Sequence, residues 1–152
     1  MLFSVIIFII DQLLKLFIGF NIDLNTSVTV FKNFFYISNV HNYGAAFSIL
    51  YGNRVFLIIV SVFSLAFIYY FLLKNKKFQW FDIIVYSLLI GGILGNLFDR
   101  IIYGYVADYI DFYIFGYNFP IFNVADICIV CSVALIVIDT LRGGKFGNKS
   151  SK

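Results

Sequence analysis

Apolar residues run almost unbroken through four windows of the chain, roughly 2–20, 55–73, 80–98 and 121–141. An α-helix needs about 20 such residues to cross the hydrocarbon core of a bilayer. Each window meets that length, and none alternates apolar with polar positions as a membrane-spanning strand would. The pattern predicts a membrane all-α bundle of four transmembrane helices. The stretches between them, 21–53 and 99–120, read differently. Thr26 to Val40 and Val106 to Phe119 are rich in Val, Thr, Phe, Tyr and Ile, which suit strands. Phe115-Gly116-Tyr117-Asn118 is a turn candidate. These loops predict a small β-rich cradle packed beside one end of the bundle.

Composition sharpens the class. Of 152 residues, 62% are hydrophobic and 12% charged, against about 25% charged in an ordinary soluble domain. A soluble globule, a disordered chain and a nucleic-acid binder are excluded on that balance. The length suits one domain, 1–152, with no repeat or low-complexity tract. Basic residues gather at Lys74, Lys76 and Lys77 and in the tail at Arg142, Lys145, Lys149 and Lys152. With four spans these lie on one side, so both termini are expected in the cytoplasm. The cradle then faces outward. The first window lacks a basic leader and a small-residue cleavage site and contains Asp11 and Lys15, so it is expected to stay as a helix. The tail, Gly143 to Asn148, is expected to be a polar, mobile end.

Ionisable groups inside a membrane are costly, which makes them functional candidates. Asp11 and Lys15 stand one turn apart on one helix face, as a neutralising pair or as a brace for a site, with Gln12 beside them. Gly92, Asn96 and Arg100 recur every four residues along the third window. Small-residue packing and a snorkelling Arg account for Gly92 and Arg100, but an amide at Asn96 needs polar partners. Asn123 and Asp126 open the fourth window three residues apart, a spacing that suits a helix cap. Pro120 suits the start of that helix.

The other acids separate by position. Asp82 and Asp139 read as interface charges, Asp23 and Asp111 as solvated loop charges, and Asp99 lies within the third-helix motif. Asp108 follows the third helix and Asp126 opens the fourth, so both fall at one depth. Two adjacent carboxyls share a proton and can serve as acid and base. Spacing alone leaves an aspartyl dyad and a structural polar cluster both open. His41 is the sole histidine, and Cys128 and Cys131 lie in an apolar helix without partner ligands, so they read as small apolar residues. A small channel or lipid-binding protein is the competing class, and an acyltransferase lacks a visible nucleophile and base.

Four ordered blocks carry a resemblance. They are Asp11-Gln12-Leu13-Leu14-Lys15, then Asn42-Tyr43-Gly44-Ala45-Ala46-Phe47, then Gly95-Asn96-Leu97-Phe98-Asp99-Arg100 running on to Gly104-Tyr105-Val106-Ala107-Asp108, and Phe122-Asn123-Val124-Ala125-Asp126. Together they resemble the bacterial lipoprotein signal peptidases, the signal peptidase II family of intramembrane aspartic peptidases. The resemblance implies an endopeptidase that removes the signal peptide of diacylglyceryl-modified prolipoproteins just before the lipidated cysteine. It implies Asp108 and Asp126 as the catalytic dyad. Asn42, Gly44, Gly92, Asn96, Arg100 and Asn123 would line or brace the site, with Asp11 and Lys15 supporting it. No cofactor and no metal are implied. The expected partners are the prolipoprotein substrate and membrane lipids, with the enzyme a monomer in the bacterial cell membrane and its site toward the extracytoplasmic face. The loop Asn42–Phe47 is a lid candidate. Leu14, Ala107 and Tyr109 depart from residues common in the family, which touches local packing and leaves the two aspartates in place.

Overall fold

The computed structural model describes residues 2–45, 49–74 and 79–142, with the side chains of 71–73 left aside. Ala46 and Phe47 of the lid candidate and the tail from Gly143 onward lie outside the described residues. Among the described residues there are four α-helices: α1 (Leu2–Asn21), α2 (Arg54–Phe67), α3 (Trp80–Ile102) and α4 (Val124–Leu141). Three of them, α1, α3 and α4, are long and apolar enough to cross a membrane. The window at 55–73 departs from expectation. There α2 gives way after Phe67 to a π-helical segment, Ile68–Leu73, closed by a hydrogen bond from Lys74 N to Tyr69 O five residues back (2.9 Å). As a regular helix α2 is therefore shorter than a span, and the structure gives three qualifying spans where four were expected.

The central element is α3, packed against α1, α2 and α4. Glycines permit this. A Cβ at Gly91 would stand 2.9 Å from the Ser4 carbonyl oxygen of α1, and one at Gly92 would stand 2.5 Å from the Ala125 carbonyl oxygen of α4. Both are closer than atoms can approach, so the helix backbones meet only because the side chains are absent. Gly92 is thus part of the α3–α4 contact. Outward faces of α1 and α4 expose Leu13, Phe17, Phe20, Val130 and Leu141, the reverse of a soluble surface.

Strands β1 (Ser27–Phe31), β2 (Phe35–Asn42), β3 (Val106–Ile114) and β4 (Tyr117–Asn118) form an antiparallel sheet in that order. Both strand-rich stretches pair as expected, and α2 and α3 are inserted between β2 and β3. Phe115 and Gly116 turn the β3–β4 hairpin with φ of 51° and 80°, the left-handed pair that matches the twist of a two-residue hairpin. Phe34, Phe35, Phe112 and Phe122 stack around one end of the sheet.

Two helix boundaries differ from the apolar windows. The third helix continues through Asp99 and Arg100 to Ile102, because both charged side chains find partners. The fourth begins only at Val124. Phe122 instead exchanges backbone hydrogen bonds with Ile110 of β3 (Phe122 N to Ile110 O, 3.1 Å), so Pro120 precedes an extended bridge and not a first helical turn. One acid is corrected, and a second is more enclosed than its place at a helix end suggests. Asp111 is 5% exposed and accepts from Ser38 Oγ at 2.9 Å, so it is buried by its cross-sheet neighbour and not solvated. Asp82 does start α3, but it is buried there and accepts from Gln79 N at 3.1 Å in a capping box.

Candidate active site

The site forms where β3, β2 and the first turn of α4 converge on the C-terminal half of α3. The sequence Asn123-Val124-Ala125-Asp126 starts α4 with a reciprocal cap. Asn123 Oδ1 accepts from Asp126 N (3.0 Å), and Asp126 Oδ2 accepts from Asn123 N (3.2 Å). Capping would satisfy Asn123 by itself, yet its Nδ2 also donates to Asp108 Oδ1 at 2.7 Å. The amide is oriented by this division, since its oxygen is already committed to an N–H. One wholly buried side chain therefore joins both aspartates.

Asp108 receives a second amide. Asn42 Nδ2 donates to Asp108 Oδ2 at 2.8 Å, while Asn42 Oδ1 accepts from Gly44 N at 2.8 Å. Gly44 is held from the other side as well, because Arg100 Nη2 donates to its carbonyl oxygen at 3.0 Å. Asp126 receives Asn96 Nδ2 on Oδ1 at 2.7 Å. Asn96 in turn accepts Lys15 Nζ on its Oδ1 at 3.0 Å. Behind it, Lys15 lies 2.7 Å from Asp11 Oδ2 and 2.8 Å from Asp99 Oδ2. Asp11 Oδ1 accepts from Ala125 N at 3.0 Å, which fastens α1 to the first turn of α4.

These contacts place the residues in layers. Asp108, Asp126, Asn42, Asn96 and Arg100 line one cleft of about 460 Å³, whose remaining wall is largely apolar and includes Phe119, Ile129 and Val130. Asn123 sits between the two carboxylates, Asp11 and Lys15 stand behind Asn96, and Gly92 serves the helix contact. Asp11 and Lys15 thus bond within the bundle, as a pair that also braces the site.

Asp108 is 3% exposed. Burial, chiefly, and then the nearby Asp126 carboxylate push its carboxyl up from 3.8 to about 7, against the opposing pull of the Asn42 and Asn123 amides and the Lys15 charge. A group with that value keeps a proton near neutrality, as acid–base chemistry requires. Burial likewise raises the Tyr109 phenol, whose oxygen accepts from Val124 N at 3.4 Å.

Several participants escape a reading of the chain. Asp99 is buried and ion-paired to Lys15, and Gln12 Nε2 donates to its Oδ1 at 2.9 Å. The signal was present, since Asp99 lies three residues past Asn96 and seven past Gly92, on their helix face. Arg54, at the start of α2, donates through Nε to Arg100 O (2.6 Å) and through Nη2 to Ile101 O (2.8 Å). It thereby satisfies carbonyls at the end of α3 that a helix leaves without partners. No local pattern announces that contact.

A family model described as signal peptidase (SPase) II matches residues 3–142. The lipoprotein signal peptidase of Staphylococcus aureus (strain JH9) is 40% identical over 141 residues, covering 93% of this chain and 86% of that protein. The same figures hold for the protein of strain Newman. A bacterial membrane enzyme solved by the in meso method at 2.3 Å resolution superposes with a TM-score of 0.86 at 37% identity, covering 99% of this chain and 92% of that one. A second, solved at 1.9 Å, gives 0.82 at 39% identity, covering 93% and 91%. By the match of the family model to nearly the whole chain and by its identity to curated relatives, the chain belongs to the signal peptidase II family.

Proposed function

We propose that this chain removes the signal peptide of prolipoproteins as an aspartic endopeptidase whose catalytic pair is Asp108 and Asp126. Family membership supports the protease and its substrate class and disfavours a channel or a lipid-binding protein. The observation that carries the assignment of residues is the convergence of the two carboxylates on one cleft, tied through Asn123, whose side-chain Nδ2 donates to Asp108 and whose backbone N donates to Asp126.

The reaction follows from the pair's shared proton. The ionised carboxylate takes a proton from a water molecule, which attacks the carbonyl preceding the lipidated cysteine. The protonated partner donates to the carbonyl oxygen, and the proton taken from water passes to the leaving amine. The scheme uses neither a metal nor a covalent intermediate. Amide donors from Asn42, Asn96 and Asn123 hold the carboxylates with their free lone pairs toward the cleft. The apolar wall suits acyl chains, and the cleavage segment lies extended across the dyad.

Further parts of the reading concern the membrane. We place four spans across it, with α2 and the π-helical segment together, Arg54 to Leu73, forming the second. The basic loop at 74–77 and the tail then lie in the cytoplasm, and the sheet and dyad lie on the extracytoplasmic side of a bacterial membrane. The chain acts as a single-domain monomer in contact with membrane lipids, and the loop from Asn42 closes over bound substrate.

The test is cleavage of a lipidated prolipoprotein in liposomes by Asp108→Asn and Asp126→Asn made separately. Each folded variant is expected to lose about 10³-fold or more in kcat, within the range of general acid–base catalysis. Wild-type cleavage by either would end the dyad assignment. A chelator is expected to leave the rate unchanged, and inhibition reversed by added metal would count against this scheme.

A further inference from the structure

Lys15 Nζ is ion-paired with Asp11 Oδ2 at 2.7 Å and Asp99 Oδ2 at 2.8 Å, and donates a hydrogen bond to Asn96 Oδ1 at 3.0 Å. The two carboxylates come from different helices, so the ammonium is held from both sides while it donates to Asn96. An amide whose oxygen accepts from Lys15 must turn its nitrogen the other way, and Asn96 Nδ2 does so onto Asp126 Oδ1 at 2.7 Å. Asp99 is 2% exposed and touches neither Asp108 nor Asp126 among the contacts above. Gln12 Nε2 fixes its remaining oxygen at 2.9 Å and also reaches Asp11 Oδ2 at 3.3 Å. Lys15 and Asp99 also line a second cavity, of about 180 Å³, with His41 and Tyr105 on the side of the sheet away from the dyad cleft.

We propose that Asp99 is a positioning residue of the peptidase, which sets the place and the charge surroundings of Lys15 and through Lys15 and Asn96 orients and tunes the Asp108–Asp126 pair. The proposal rests on reading that pair as the dyad. Charged groups facing the relay come from each packed element: Asp11 and Lys15 from α1, Asp99 and Arg100 from α3, Asp108 from β3 and Asp126 from α4, with His41, Tyr103 and Tyr105 at the second cavity. Two carboxyl groups from different helices face the one ammonium. Lys15 is felt at Asp108, where its charge favours ionisation. Removing the Asp99 charge leaves Lys15 less countered, so both dyad carboxyls ionise more readily and both limbs of the pH–kcat profile move to lower pH.

The experiment measures kcat and KM across pH for Asp99→Asn, Asp99→Glu and Gln12→Glu, with folding checked by thermal midpoint in the same detergent. Asp99→Asn is expected to lower kcat about tenfold or more, as displaced supporting groups do. Its KM should stay within about twofold, because ground-state binding is untouched. Its profile should shift to acid by about half a pH unit or more. Asp99→Glu retains the charge and should leave the profile in place. Gln12→Glu adds a negative charge beside Asp99 and should move both limbs to higher pH. A folded Asp99→Asn with wild-type kcat and profile overturns the proposal, as does an Asp99→Glu that shifts like the amide. Where Asp99→Asn does not fold, an unmoved profile in folded Gln12→Glu overturns it alone. Asp108→Asn and Asp126→Asn run alongside: activity in either sinks the dyad reading itself, whereas inactive dyad variants beside a wild-type-like Asp99→Asn sink only this inference.

Discussion

The Asn123 amide donates to Asp108 Oδ1 across 2.7 Å while its own oxygen caps the N–H of Asp126. The helix cap and the proposed spacer of the aspartyl pair are therefore the same side chain, and substitution separates the two roles. Asn123→Ser keeps a good cap residue, so stability should change by less than about 1 kcal/mol. It loses the donor to Asp108, so kcat should fall about tenfold or more. Thermal unfolding beside cleavage kinetics reads both, and an Asn123→Ser enzyme with wild-type kcat would remove the spacer role.

The Asp108 carboxyl, raised to about 7 by burial and by Asp126, also has a stability signature. In the unfolded chain it ionises near 3.8, so between these values the folded state holds the extra proton. Folding stability from this group is then present below about pH 4 and lost as pH rises toward 7. Asp108→Asn removes the titration. The stability of the variant relative to wild type is expected to increase from pH 4 to pH 7 and level off above it. A difference constant across that range would show that Asp108 is not perturbed.

Glycine substitutions should divide by contact. In Gly92→Ala the new Cβ would stand 2.5 Å from the Ala125 carbonyl oxygen, a backbone atom that cannot rotate away. Forcing α3 and α4 apart costs about 1–3 kcal/mol and displaces Asp126. Gly19 has nothing within 4 Å of its Cβ position. Gly19→Ala should be neutral or stabilising by up to about 1 kcal/mol, with full activity. Equal thermal midpoints for the two variants would contradict this packing.

Arg54 caps the end of α3 with a two-pronged guanidinium, Nε to Arg100 O and Nη2 to Ile101 O. A Cβ on Gly104 would lie 3.3 Å from the same guanidinium, and its φ of 87° favours glycine there. Arg54→Ala should destabilise by about 1–3 kcal/mol, the range for hydrogen bonds to a charged group. Arg54→Lys should recover little, because an ammonium lacks the planar fork. Full recovery by lysine in thermal unfolding would reduce the contact to simple charge.

What the chain reveals by itself depends on how local the cause is. The long apolar runs of α1, α3 and α4 and the β-branched and aromatic runs of the sheet are local, and they are legible. The ends of these elements are not. Asp99 and Arg100 stay helical because Lys15 and the Gly44 carbonyl receive them, and neither partner is near in sequence. Ile121 and Phe122 look like a helix start until β3 claims them. The burial of Asp111 depends on Ser38, 73 positions away. Asp108, Asp126 and the asparagines stand out because polar groups are scarce in such a chain, whereas the partners of Arg54 lie 46 and 47 positions away.

The hydrogen bond from Ala125 N to Asp11 Oδ1 carries a consequence for biogenesis. It ties the first helix made to the last, and Asp126 is the next residue. Until α4 is inserted and docked on α1, Asp108 has neither its partner carboxylate nor the Asn123 amide. If Asp108 and Asp126 are the catalytic pair, a nascent or truncated chain lacking the final helix is expected to be inert toward peptide bonds. On the proposed assignment of the pair, activity arises only as the bundle closes.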